Sequence, residues 1–194
     1  LILPFVDCGQ ADVEQKLPLD SAVRIGKLDN GLTYYIRQNS RPEKKVELRL
    51  VVNAGSILES PQQLGLAHFT EHMAFNGSKN FKKNDIISFL QSIGVEFGAD
   101  LNAYTSFDET VYILPIPTEK RENVEKAFQV MQDWAGGISF EDSEIEKERA
   151  VVLRGAVTGQ RLEVLLVQAP HAEGLRRQRR APDGVPLVDR VHLI

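Results

Sequence analysis

Residues 68–72 read His-Phe-Thr-Glu-His, which sets two imidazoles four positions apart with a carboxylate between them. On a helix that spacing is one turn, so His68 and His72 point the same way. Two imidazoles so placed can grip one divalent ion, usually zinc. Glu71 lies on nearly the same face. A bound ion brings the pKa of its water to about 7, and a nearby carboxylate can take the proton. The pentapeptide thus holds two ligands, His68 and His72, and one general base, Glu71. Such a site also needs a third protein ligand. The competing account is a histidine pair that caps a solvated helix or sits hydrogen-bonded in a core. The flanks weigh against it: Gly65-Leu66-Ala67 and Met73-Ala74-Phe75 give the helix an apolar, buried side. Polar groups on a half-buried helix require partners, and an ion supplies them.

The surrounding elements must hold this turn in place. Val23-Arg24-Ile25, Asp29-Asn30-Gly31 and Leu32-Thr33-Tyr34-Tyr35-Ile36 predict a hairpin, with Asn-Gly favouring a tight turn. Val46, Leu48, Leu50 and Val52 alternate, as in a core strand. Ser60-Pro61 predicts the start of the helix that carries the pentapeptide, and Asn76-Gly77 its end. A second helix fits 84–93 up to Gly94, and strands fit 95–103 and 110–116. A long amphipathic helix fits 118–135, stopped by Gly136-Gly137. Ser139-x-x-Asp142 predicts a capping box for another helix containing Ile145, Glu148 and Val152. The order of elements reads as an α+β fold.

The chain has 194 residues, 42% hydrophobic and 26% charged, enough for one domain with a core and a tail. A net charge of −4 carries no global bias toward nucleic acid. A single cysteine, Cys8, excludes an internal disulfide framework and a Cys-rich zinc site. No apolar run approaches the roughly 18 residues that span a bilayer. Leu1-Ile2-Leu3-Pro4-Phe5-Val6 is apolar, and Gly9-Gln10-Ala11 has a small-x-small pattern. Residues 1–22 therefore read as an N-terminal segment, either a signal-peptide remnant or an ordinary buried strand. The first makes the protein exported or periplasmic and removes Cys8; the second leaves it cytoplasmic.

Composition changes sharply near residue 150. All ten lysines lie at or before Lys147. Residues 150–194 hold seven Arg, four acids, three Pro and no Lys, while residues 1–149 hold 16 basic and 23 acidic groups. Those totals are +3 and −7, which argues for a boundary here. Arg176-Arg177-Gln178-Arg179-Arg180 reads as a solvated basic patch rather than a nucleic-acid site, since no aromatic side chains interleave for stacking. A disordered tail is the expectation for 154–194.

Several segments, in order, resemble one family: Asp29-Asn30-Gly31-Leu32, Asn53-Ala54-Gly55-Ser56, the run from Gly65 to Gly77, Asn102-Ala103-Tyr104-Thr105-Ser106, Glu109-Thr110-Val111-Tyr112 and Glu144-Ile145-Glu146-Lys147-Glu148-Arg149. The chain is similar to the pitrilysin-type (M16) zinc peptidases, the inverzincins, over residues 23–153. Met73-Ala74-Phe75-Asn76-Gly77 resembles the bacterial processing-peptidase-like zinc proteases. The resemblance implies a mostly antiparallel sheet with helices packed on it, the motif on a helix, and Zn2+ as cofactor. It implies His68 and His72 as ligands and Glu71 as the general base that activates a zinc-bound water for peptide hydrolysis. Asn102, Ala103 and Tyr104 match an edge strand that pairs with an extended peptide. Glu148 matches a carboxylate that supports the site from behind a ligand. The implied partners are a peptide or protein substrate and a homologous second half or subunit.

One position departs. The resemblance places a third ligand, a glutamate, seven residues after Glu148, where this chain has Gly155. Residues from Arg154 onward are therefore expected not to share the family's origin, as after a reading-frame shift or a spliced segment. Glu148 or Glu163 are the substitutes at hand. The chain is expected to be an impaired zinc metalloendopeptidase, with a non-catalytic scaffold or partner subunit as the alternative.

Overall fold

The computed structural model describes residues 18–96, 102–157 and 191–193. Its strands are β1 (Val23–Lys27), β2 (Thr33–Arg37), β3 (Lys45–Val52), β4 (Asn102–Thr105), β5 (Thr110–Pro117) and β6 (Val191–Leu193). Its helices are α1 (Leu66–Met73), α2 (Asp85–Ser92), α3 (Arg121–Gly136) and α4 (Asp142–Val157). The strands form one sheet in the order β1-β2-β6-β3-β5-β4. Every neighbouring pair is antiparallel except β2 with β6. This is the α+β arrangement expected, a mostly antiparallel sheet with helices packed on it.

Local chemistry explains the strands. In the β1–β2 hairpin Gly31 takes φ 93°, a left-handed value open to glycine, and the Leu32 amide donates to Asn30 Oδ1 at 3.1 Å. Alternation on β3 puts Leu48 and Leu50 inward, and across the register they face Leu114 and Tyr112 of β5. Ala127, Val130, Met131 and Trp134 of α3 complete this core. The Trp134 ring stacks on Tyr112 with centroids 5.1 Å apart, and its Nε1–H donates to the Ala74 carbonyl at 3.0 Å. That bond pins the C-terminal end of α1 onto the main core. A second cluster, Phe69 and Met73 of α1 with Ile145 and Val152 of α4, joins those two helices.

Helix α1 begins later than Ser60-Pro61 predicts. The chain first makes a 3₁₀ turn at Ser56–Leu58, and α1 starts only after Gly65, at φ 85°. Ser60 does not cap; its carbonyl instead accepts the Gln63 amide at 2.8 Å. The cap comes from Glu59, whose two carboxylate oxygens accept the Gly65 and Ala67 amides, both at 2.7 Å. A carboxylate there satisfies orphan N–H groups and faces the positive end of the helix dipole. Past Met73 the helix tapers through 3₁₀-type bonds, Phe75 N–H to His72 O and Asn76 N–H to Met73 O, into Gly77 at φ 134°.

Other boundaries shift by a few residues. Helix α4 begins at Asp142, with the Glu141 carbonyl accepting the amides of Glu144 and Ile145, both at 2.9 Å. The predicted Ser139–Asp142 capping box does not form at that start, because the Ser139 amide is committed to Gly77 O at 3.1 Å. Val95, predicted as strand, is buried at the end of α2 with its amide on Leu90 O, and β4 starts at Asn102. Residues 97–101 lie outside the described residues, as do the apolar start with Cys8, Glu163 and Arg176–Arg180. The compositional break near Arg154 does not coincide with a helix end, since α4 runs on to Val157, and Val191–Leu193 enter the sheet as β6. No described helix is long and apolar enough to cross a membrane.

Two substitutions separate core from cap. Leu114 is fully buried, so Leu114→Ala should cost about 2–5 kcal/mol in denaturant unfolding with an unchanged slope. Glu59→Ala should cost about 1 kcal/mol. A loss from Leu114→Ala no larger than that from Glu59→Ala would contradict this core.

Candidate metal centre

The pentapeptide lies on α1, which carries two adjacent stripes. Phe69 and Met73, four residues apart, are buried against Ile145 and Val152 of α4. His68 and His72, one position earlier in each case, form the neighbouring stripe. Their Nε2 atoms stand 3.1 Å apart and their rings meet edge to face at 86°. Two ring nitrogens on one tetrahedral zinc, each at about 2.0–2.1 Å, would be separated by roughly 3.3 Å. The observed spacing suits a shared ion.

Packing of α4 delivers Glu148 to the back of His72. Ile145, Glu148 and Val152 share a face of α4 at spacings of three and four. Glu148 Oε1 lies 2.6 Å from His72 Nδ1, and Glu148 Oε2 accepts from Asn76 Nδ2 at 3.0 Å. A carboxylate can only accept, so Nδ1 carries the proton and the Nε2 lone pair is left for an ion. Glu148 thus meets the ring nitrogen remote from His68, and both its oxygens are engaged.

Glu71 is nearly buried, 9% exposed, and Thr105 Oγ1 donates to its Oε2 at 2.6 Å. Thr105 ends β4, so the same contact ties the carboxylate to the sheet edge. Thr110, opposite Thr105 on β5, anchors that corner by donating to the Ala54 carbonyl at 2.9 Å. Burial first, and the Glu71 charge second, pushes the Tyr112 phenol far above its ordinary range. The Tyr112 phenol is therefore held neutral.

Asn102, Ala103 and Tyr104 lie on β4, the edge strand, paired to Ile113, Tyr112 and Val111 on one side. Tyr104 is half exposed and its hydroxyl donates to Glu109 Oε1 at 2.8 Å. That bond, more than burial, raises the Tyr104 pKa. The structure thus brings His68, Glu71, His72 and Glu148 together and sets the β4 segment beside them through Thr105.

Among the described residues no cluster of three or more His, Cys, Asp or Glu side chains is placed to hold an ion. Gly155 lies on the continuous helix α4, about two turns beyond Glu148 and on nearly the same face. Two imidazoles fit one ion in spacing and orientation, and among the described residues no third protein donor stands with them. Three supporting residues escaped sequence reasoning. Asn76 reads only as a helix stop, Thr105 only as one residue of the matching segment Asn102–Ser106, outside the predicted strands, and Glu59 matches no capping pattern.

Comparison with known proteins identifies the family. Residues 34–180 match the family described as Insulinase (Peptidase family M16). The chain is 41% identical over 154 residues to a probable zinc protease PqqL of Haemophilus influenzae, covering 78% of this chain and 17% of that protein. It superposes on the periplasmic protease PqqL from Escherichia coli with a TM-score of 0.81 and 31% identity, over 92% of this chain and 22% of that one. The first half of the same protease, solved separately, gives a TM-score of 0.73 at 33% identity, over 92% of this chain and 43% of that one. The chain spans about a fifth of the full-length relatives it matches. On the match and on the fold, this chain belongs to the insulinase-type peptidase family M16.

Proposed function

We propose that this chain is part of the N-terminal catalytic half of a zinc-dependent metalloendopeptidase, with the machinery carried by residues 23–153. One observation carries the proposal: two Nε2 atoms converge at 3.1 Å while Glu148 holds the opposite nitrogen of His72. A direct Nε2–H···Nε2 hydrogen bond would give the same spacing, so the reading as a metal pair draws also on Glu148 holding the His72 proton on Nδ1. The zinc-protease relative supports the choice of ion.

His68 and His72 would hold zinc, which when bound lowers the pKa of a water to about 7 and polarises a carbonyl. Glu71 is the general base. With Oε2 held by Thr105, its other oxygen takes the proton from water and returns it to the leaving amine. The β4 segment, Asn102 to Tyr104, adds an extended peptide to the sheet by main-chain hydrogen bonds, which selects backbone more than sequence. Glu148 is an orienting residue rather than a third ligand. Completion of the site requires a homologous second half, as the halves of the related protease suggest. Export to the periplasm is proposed by analogy with the periplasmic relative.

By itself this chain is an impaired peptidase, because two imidazoles bind zinc more weakly than three protein ligands. The rival, a non-catalytic scaffold, draws support from the same shortage among the described residues. Metal content decides. Dialysed protein should retain zinc that His72→Ala loses, and Gly155→Glu should tighten it. If Gly155→Glu also restores hydrolysis, adding Glu71→Gln should keep the zinc while cutting that hydrolysis by about 10²–10⁴-fold. Equal zinc in wild type and His72→Ala would sink the metalloenzyme assignment.

A further inference from the structure

We propose that Asn76 is a positioning residue for the His72 imidazole, acting through Glu148; this rests on the metal-site proposal above. Asn76 follows His72 by four residues, one turn further along the tapering end of α1. Both side chains grip the same carboxylate: His72 Nδ1 meets Glu148 Oε1 at 2.6 Å, and Asn76 Nδ2 donates to Oε2 at 3.0 Å. The second Nδ2 proton goes to the His72 carbonyl at 3.3 Å. Both amide protons are therefore used, and reversing the amide would set its oxygen against a carboxylate.

The terminal torsion of a glutamate is broad and soft. One hydrogen bond leaves the carboxylate able to turn; two bonds, one to each oxygen, fix its plane. The His72 ring then has one acceptor in one place, its proton stays on Nδ1, and Nε2 remains aimed at His68.

Asn76 is itself held from the far side. The segment after it is clamped to Asp133 of α3, which is 2% exposed. Ser78 Oγ donates to Asp133 Oδ2 at 2.6 Å, the Asn80 amide to the same oxygen at 2.8 Å, and Asn80 Nδ2 to Oδ1 at 2.8 Å. The Lys79 amide adds a bond to Gly137 O at 2.8 Å. The clamp fixes the backbone from which Asn76 reaches Glu148, so the main core sets the orientation of an imidazole that lies outside it.

The test needs no metal. Imidazole ¹H–¹⁵N spectra of the metal-free protein at about pH 8, above the ordinary histidine range, report which ring nitrogen carries the proton. Wild type should show His72 protonated at Nδ1. Asn76→Ala and the nearly isosteric, donor-less Asn76→Asp should both raise the Nε2–H form, and Glu148→Ala should do the same. Asn76→Ala added to Glu148→Ala should change nothing further, because the residue then has no carboxylate to hold. An unshifted tautomer in both Asn76 variants, or full additivity with Glu148→Ala, overturns the proposal. If Asn76→Ala does not fold, Asn76→Asp decides alone. Cobalt affinity should fall about tenfold in the Asn76 variants. Absence of cobalt binding by wild type would refute the metal-site proposal instead, and the tautomer result would still decide the role of Asn76.

Discussion

The hydrogen bond from His72 Nδ1 to Glu148 Oε1 joins residues 76 positions apart, and the site depends on it. It forms because α1 and α4 bury Phe69 and Met73 against Ile145 and Val152 immediately beside it. Apolar packing sets the distance between the helices, and the polar pair then sets the direction of one ring. Without the packing the carboxylate would not arrive. Without the carboxylate the imidazole could turn its proton toward His68 and lose the lone pair that an ion needs.

The ends of α1 receive the same treatment. Glu59 closes its first turn, and the Trp134 indole holds the Ala74 carbonyl at its last. An eight-residue helix has little stability of its own, so outside groups must fix it. Thr105 completes the frame by tying Glu71 to the end of the edge strand. Glu71, the two imidazoles and the edge strand β4 are thereby held to one another, although they come from separate parts of the chain.

The parts legible in the sequence are those written in short spacings. His68, Glu71 and His72 fall within one helical turn, the Asn30-Gly31 turn is local, and the β3 alternation needs only its own residues. What supports the site was not legible, because it is made by contacts at long range. Asn76 fits a helix stop equally well, and nothing within a few residues announces that its amide meets Glu148. Ser60-Pro61 satisfies a local capping pattern, but Gly65 and the Glu59 carboxylate six residues before it decide the start of α1. β6 sits in a stretch with no clear period; only its pairing with β2 and β3 reveals it.

X-ray absorption at the zinc edge, on the chain loaded with one equivalent of zinc, examines the central claim directly. A shell of imidazole nitrogens at about 2.0–2.1 Å is predicted, and it should vanish when His68 and His72 are both replaced by Ala. A spectrum without imidazole scattering, or one unchanged in the double variant, would contradict a metal centre on this helix.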